Sequence, residues 1–155
     1  MSINTQRFIL FLVLNFFGLY LGSLTTSVAV NSDWYMQLQK APWTPPGWVF
    51  GAAWTTIMVC FTFYMTIAIN RRKNNVKLIT LYLLQWGLNF LWNPLFFYYH
   101  QVFFALVVIV LLTVLLFLIF LFNYKKMKHY SLLIAPYIVW LLIATSLNLY
   151  IYLYN

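Results

Sequence analysis

The sequence predicts an all-α integral membrane protein, a five-transmembrane-helix bundle, and three observations predict it. Of its 155 residues 65% are hydrophobic and only 6% charged, which cannot clothe a soluble domain in solvated charge. The few charges gather in short clusters between apolar runs that carry none. Five of those runs are long enough to cross a bilayer, and they take up nearly all of a single membrane domain, residues 1–155.

The first run, about Phe8 to Val28, follows Arg7 and ends near Ser27-Val28-Ala29, so it also fits a cleaved signal peptide. A retained span is favoured by Gly18, Gly22 and Thr26 at four-residue spacing, a small-residue face suited to helix packing. The only long connection follows, about Ala29 to Pro46, and is the candidate lid. Ser32-Asp33 can cap one or two turns within Trp34 to Gln39, and Pro42, Pro45 and Pro46 stiffen the approach to the second run. Pro46 is expected in the first turn of that run.

The second run, Gly47 to Ile69, places Phe50, Trp54 and Met58 on one face. The third, Leu78 to Tyr98, carries Gln85, Asn89, Trp92 and Asn93 on one stripe, after which Pro94 frees a backbone carbonyl. Little more than His100 and Gln101 joins it to the fourth, Val102 to Phe122. The fifth, Ser131 to Leu153, repeats Pro136, Trp140, Ala144 and Asn148 in four-residue steps.

Five crossings put Arg7, the cluster Arg71, Arg72, Lys73 and Lys77, and the cluster Lys125, Lys126 and Lys128 on one side. The other side holds only Lys40 and the single acidic residue, Asp33. The net charge of +8 therefore reads as loops beside a lipid bilayer, with no nucleic-acid face. The same bias puts the N-terminus in the cytoplasm and the C-terminus outside, with a bacterial plasma membrane as the expected location. Trp34, Tyr35, Trp43, Trp48, Tyr98, Tyr99, Tyr150, Tyr152 and Tyr154 collect on the outer side as an interfacial belt, except where they lie beside a loop able to cover a cavity.

One carboxylate cannot supply paired-acid catalysis, an acidic metal site or the usual proton relay of a coupled transporter. Cys60 lies in an apolar run and reads as packing, as do Met58 and Met65. His100 and His129 sit at opposite helix ends, so no metal site is expected.

Intramembrane amides are costly without a partner or a cavity. Taken singly, the Asn and Gln residues fit interhelical hydrogen bonds and the indoles fit core packing. Taken together, they share a layer: at a rise of about 1.5 Å per residue, Trp54 lies ~12 Å below the outer end of its helix. Asn15, Asn89, Trp92, Trp140 and Asn148 fall in the same half of the bilayer, with small Ala144 leaving room between Trp140 and Asn148. This composition suits a cavity for a large, flat, mostly apolar ligand.

Three motifs carry a resemblance over essentially the whole chain. They are Pro42-Trp43-Thr44-Pro45-Pro46-Gly47-Trp48-Val49-Phe50 with Trp54, then Leu88-Asn89-Phe90-Leu91-Trp92-Asn93-Pro94, then Pro136-Tyr137 with Trp140, Ala144, Leu147-Asn148 and Asn155. In these the chain resembles the TspO/MBR family, the translocator proteins, tryptophan-rich sensory proteins or peripheral-type benzodiazepine receptors. The resemblance implies a TspO-like five-helix bundle, usually a homodimer, with one pocket under the first loop. It implies porphyrin ligands such as protoporphyrin IX, together with apolar drugs or cholesterol, and no required cofactor. Pocket residues implied by the motifs are Tyr35, Pro45, Gly47, Trp54, Asn89, Trp92, Trp140 and Ala144, with Asn148 added from its place on the same helix face. An alternative implied by the family is light- and oxygen-dependent porphyrin breakdown with Trp54 and Trp140 as catalytic partners; transport of a tetrapyrrole or sterol is a third. Two departures stand out: Val108 occupies the place of an acidic residue found in many members, and Leu147 to Asn155 lacks the basic end of the animal cholesterol motif.

Overall fold

The computed structural model describes residues 4–155, which contain helices and no strands. Helix α1, Thr5–Ala29, starts where the Asn4 side chain accepts the Arg7 N–H at 3.0 Å. The short α2, Asp33–Gln37, is capped by Ser32, whose hydroxyl accepts the Tyr35 N–H. It is followed by α3, Gly47–Asn70, α4, Val76–Asn93, α5, Val102–Met127, and α6, Ala135–Tyr154.

Helix ends shift from the sequence expectations for local reasons. Pro46 caps α3 and stands outside its first turn, with extended backbone and a carbonyl that accepts the Val49 N–H. At Pro94 the α-helix gives way to one wide turn, Pro94–Tyr98, closed by Tyr99 N–H to the Pro94 carbonyl at 2.9 Å. Helix α5 continues to Met127 and stops where Lys128 takes φ 52°. A 3-10 turn, Lys128–Ile134, then occupies the residues expected to open the fifth span, and α6 begins at Ala135.

Among the described residues three stretches are long and apolar enough to cross a membrane: α1, α3 and the continuous helical chain Val102–Tyr154 that comprises α5 and α6. With the family membership given below, this makes the chain an all-helical membrane protein. Helix α4 is less apolar because it carries the amides and indoles of the third run.

Contacts at both ends fix the helix directions. Helix α1 runs against α3, as Arg7 donates to Asn70 at 2.6 Å and Asn15 to Thr62 at 3.0 Å. It runs with α4, where Thr26 donates to Asn93 and Trp86 to the Leu14 carbonyl. Helices α5 and α6 are antiparallel, since the turn Lys128–Ile134 joins them at one end while at the other Asn148 donates to the Val102 carbonyl and Phe103 meets Tyr152. A Cβ on Gly18 would stand 2.7 Å from the Trp86 Nε1, and one on Gly22 3.0 Å from the Asn93 amide. The small-residue face of α1 is thus spent inside the bundle, against α4.

The core is not centred along the helices. In α3 every buried residue lies from Ile57 onward, including Phe61, Tyr64 and Met65, and none lies between Gly47 and Thr56. That half packs on Leu116 and Ile119 of α5 and on Tyr137 and Leu141 of α6. Polar pairs tie this half, with Tyr82 donating to Asn15 at 2.8 Å and Tyr64 to the Ile119 carbonyl, while the buried Gln85 Oε1 and Ser131 Oγ have no hydrogen-bond partner. The basic residues close this end, with Arg71 donating to the Lys126 carbonyl and Arg72 to Asn123 and the Phe122 carbonyl.

Candidate ligand-binding site under the loop

At the opposite end the long loop folds over the bundle and is tied down at three places. Trp34 of α2 stacks on His100, ring centroids 3.9 Å apart, where His100 turns the chain with φ 54°. Trp43 donates to the Ser146 hydroxyl at 3.1 Å and sets its ring edge-on to Tyr150. Gln39 gives its N–H to the Asn155 side chain at 2.9 Å and receives the Asn155 amide on its carbonyl at 3.3 Å.

Beneath the loop lies a cavity of about 70 Å³ between Tyr35, Lys40 and Thr44 above and Phe50, Trp92, Phe96, Phe97, Ala144, Leu147, Asn148 and Ile151 below. Its aromatic wall is preorganised: Trp92 stacks on Phe96 at 5.3 Å and meets Phe97 edge-on. Asn148, only 2% exposed, accepts the Trp92 indole N–H at 3.0 Å and donates to the Val102 carbonyl at 3.1 Å. One amide therefore joins α4, α5 and α6 at the cavity floor and keeps one of its two N–H groups beyond these two bonds. Tyr35 leans on Phe97, ring centroids 5.7 Å apart, and burial raises its hydroxyl pKa.

A second, more open space of about 290 Å³ runs between α3 and α6, lined by Val49, Ala52, Ala53, Thr56, Ile57, Pro136, Val139 and Trp140. The two spaces are separated by an aromatic pair. Phe50 lines the inner cavity, Trp140 lines the outer groove, and their rings meet edge-on at 5.2 Å.

Of the residues expected at the site, Tyr35, Trp92, Ala144 and Asn148 line the inner cavity. Trp140 faces the groove, and Trp54 lines neither space, its ring lying edge-on to Tyr137 at 5.7 Å. Half-buried Asn89 and Pro45 and exposed Gly47 also line neither. The stripe on α4 divides between neighbours: Gln85 donates to Tyr137 and Trp92 to Asn148, both on α6, whereas Asn93 accepts from Thr26 on α1. Lining residues without an expected role are Lys40, Thr44, Phe50, Phe96, Phe97, Leu147 and Ile151. Lys40 had a signal in the sequence as the one cation among aromatic residues on its side, and Thr44, Phe50 and Leu147 had one as members of the quoted motifs. No cluster of His, Cys or Asp that could hold a metal occurs among the described residues.

Comparison with known proteins bears on the same chain length. The chain is 37% identical to the tryptophan-rich protein TspO of Archaeoglobus fulgidus over 137 residues, 88% of each protein. It is 30% identical to the tryptophan-rich sensory protein of Cereibacter sphaeroides, covering 80% of this chain and 78% of that one. Likewise it is 30% identical to the human translocator protein, covering 74% and 70%. The model of the TspO/MBR family matches residues 9–153, and with these relatives it shows that the chain belongs to the TspO/MBR family.

Proposed function

We propose that the protein is a membrane receptor for porphyrins of the protoporphyrin IX type and related large apolar molecules, serving tetrapyrrole handling or a stress response. The observation that carries this reading is the cavity under the tied loop, where Trp92, Phe96 and Phe97 offer stacking faces and Ala144 offers room. Flat aromatic ligands gain from such faces through stacking and apolar burial. The names of relatives, a sensory protein and a translocator protein, agree with a ligand-handling role.

A tetrapyrrole needs a site in the range of about 300 Å³ or more, so the inner cavity of about 70 Å³ must open on binding. Turning Phe50 away from Trp140 would join it to the 290 Å³ groove, and lifting the loop would enlarge it from above. Photo-oxidation by Trp54 and Trp140 has less support, because neither indole lines the inner cavity.

In this reading all five long helices cross the bilayer, the basic end lies in the cytoplasm and the loop faces outward. Gly51 and Gly87 have open space where a side chain would stand, which supports a homodimer formed on one of their faces.

Titration of detergent-purified protein with protoporphyrin IX in the dark, followed by tryptophan quenching, tests the function. Saturable quenching is expected, with Trp92→Phe weakening it more than Trp140→Phe and Trp54→Phe least, each corrected for its lost indole. No saturable quenching in folded protein would overturn the reading.

A further inference from the structure

We infer that Lys40 is the anion anchor of the cavity and that the ligand carries a carboxylate on one edge of its apolar body. This rests on the reading of the cavity as a ligand site. The polar lining is lopsided: Tyr35, Lys40 and Thr44 stand at the loop edge, while the floor and walls are aromatic or aliphatic apart from Asn148. Asn148 is bound to Trp92 and the Val102 carbonyl, and what its neutral amide can still offer is one N–H, with no charge to meet an anion. An amphipathic ligand would therefore seat its apolar face deep and its polar edge under the loop.

The charge at that edge is a single ammonium. Lys40 is the one cation on the loop end, and with Asp33 the only acidic side chain its counter-contact is an aromatic face. Its Nζ lies 4.5 Å from the centroid of the Tyr35 ring. The backbone around it is held on both sides, by Gln39 against Asn155 and by the Thr44 N–H and hydroxyl on the carbonyl of buried Ala41. An ammonium over the Tyr35 ring beside an apolar cavity binds a carboxylate more strongly than one in open water, because part of the charge-assisted hydrogen bond forms against low-dielectric walls. Two propionates on one edge of a flat macrocycle have this chemistry, whereas a sterol or a neutral drug does not.

The experiment compares protoporphyrin IX with its dimethyl ester, in the dark, in nanodiscs of zwitterionic lipid so that the ligand supplies the only added carboxylate. The parent protein should favour the diacid over the ester about tenfold, the scale of a charge-assisted hydrogen bond. Lys40→Met keeps the alkyl stem over Tyr35 and should bring the diacid down to the level of the ester, and saturable ester binding by the variant reports an intact cavity. Lys40→Arg should retain the preference. Equal affinity for both ligands in the parent, or an undiminished preference in Lys40→Met, would overturn the anchor and leave the porphyrin site standing. Saturable binding of neither ligand would overturn both.

Discussion

The two ends of the bundle are closed by different chemistry. At the basic end, guanidinium groups lie on helix-terminal carbonyls, Arg71 on Lys126 and Arg72 on Phe122, over the tightly packed half of α3. At the loop end, closure depends on a few neutral hydrogen bonds and ring contacts over a half of α3 that has no buried residue before Ile57. Stability is concentrated in one half and adaptability in the other. Packing density decides where a ligand can go, since a filled core offers no space and a splayed end does.

Paired substitutions should expose that division most strongly. Met65→Ala removes a fully buried side chain and should cost about 2–5 kcal/mol of stability, read as a large fall in thermal unfolding temperature. Ala144→Leu fills the inner cavity instead and should leave unfolding almost unchanged while weakening porphyrin binding by more than tenfold. Comparable losses of stability from both would break the comparison.

A smaller effect is expected at the lid. Asn155→Ala removes two hydrogen bonds to Gln39, each worth about 0.5–1.5 kcal/mol, so hydrogen exchange at the Gln39 N–H should quicken about tenfold. Exchange in α3 beyond Ile57 should not change. Equal acceleration at both ends would mean that the lid and core open as one unit.

The smallest effect concerns Tyr35. Burial raises its pKa above 10, so the folded loop keeps a proton that the unfolded loop begins to lose near pH 10. Loop stability should therefore fall as pH rises past 10, and Tyr35→Phe should remove that share of the loss. Protease cleavage of the loop, compared between parent and variant from pH 8 to 11, measures it; identical profiles would assign the loss to other tyrosines.

Long apolar runs made the helices legible, and the Ser32 cap made α2 legible, because hydrophobic period and side-chain capping are local properties. Pro46 fell one position short of the helix because extended backbone at a cap and helical backbone at the next residue both accept proline. At the site, periodicity grouped Gln85, Asn89, Trp92 and Asn93 correctly on one side of α4 but could not say which neighbour each would meet. That side sits at the junction of α1 and α6, so adjacent members turn to different helices. Trp54 and Trp140 were legible as residues of one layer, yet a difference in rotation sends one to Tyr137 and the other to the groove. Lys40 was visible only as a topological charge, because the length of the loop marks it as a lid without telling which of its side chains turns to the cavity.

The side-chain clasp between Asn155 and Gln39 also governs how the protein can be handled. It is the carboxamide of Asn155 that reaches the loop and, at 2.9 Å, its own Ile151 carbonyl. An affinity tag or reporter fused after that residue would tug on the lid each time it moved. A label near Thr5 sits at the far end of the bundle and leaves the clasp alone.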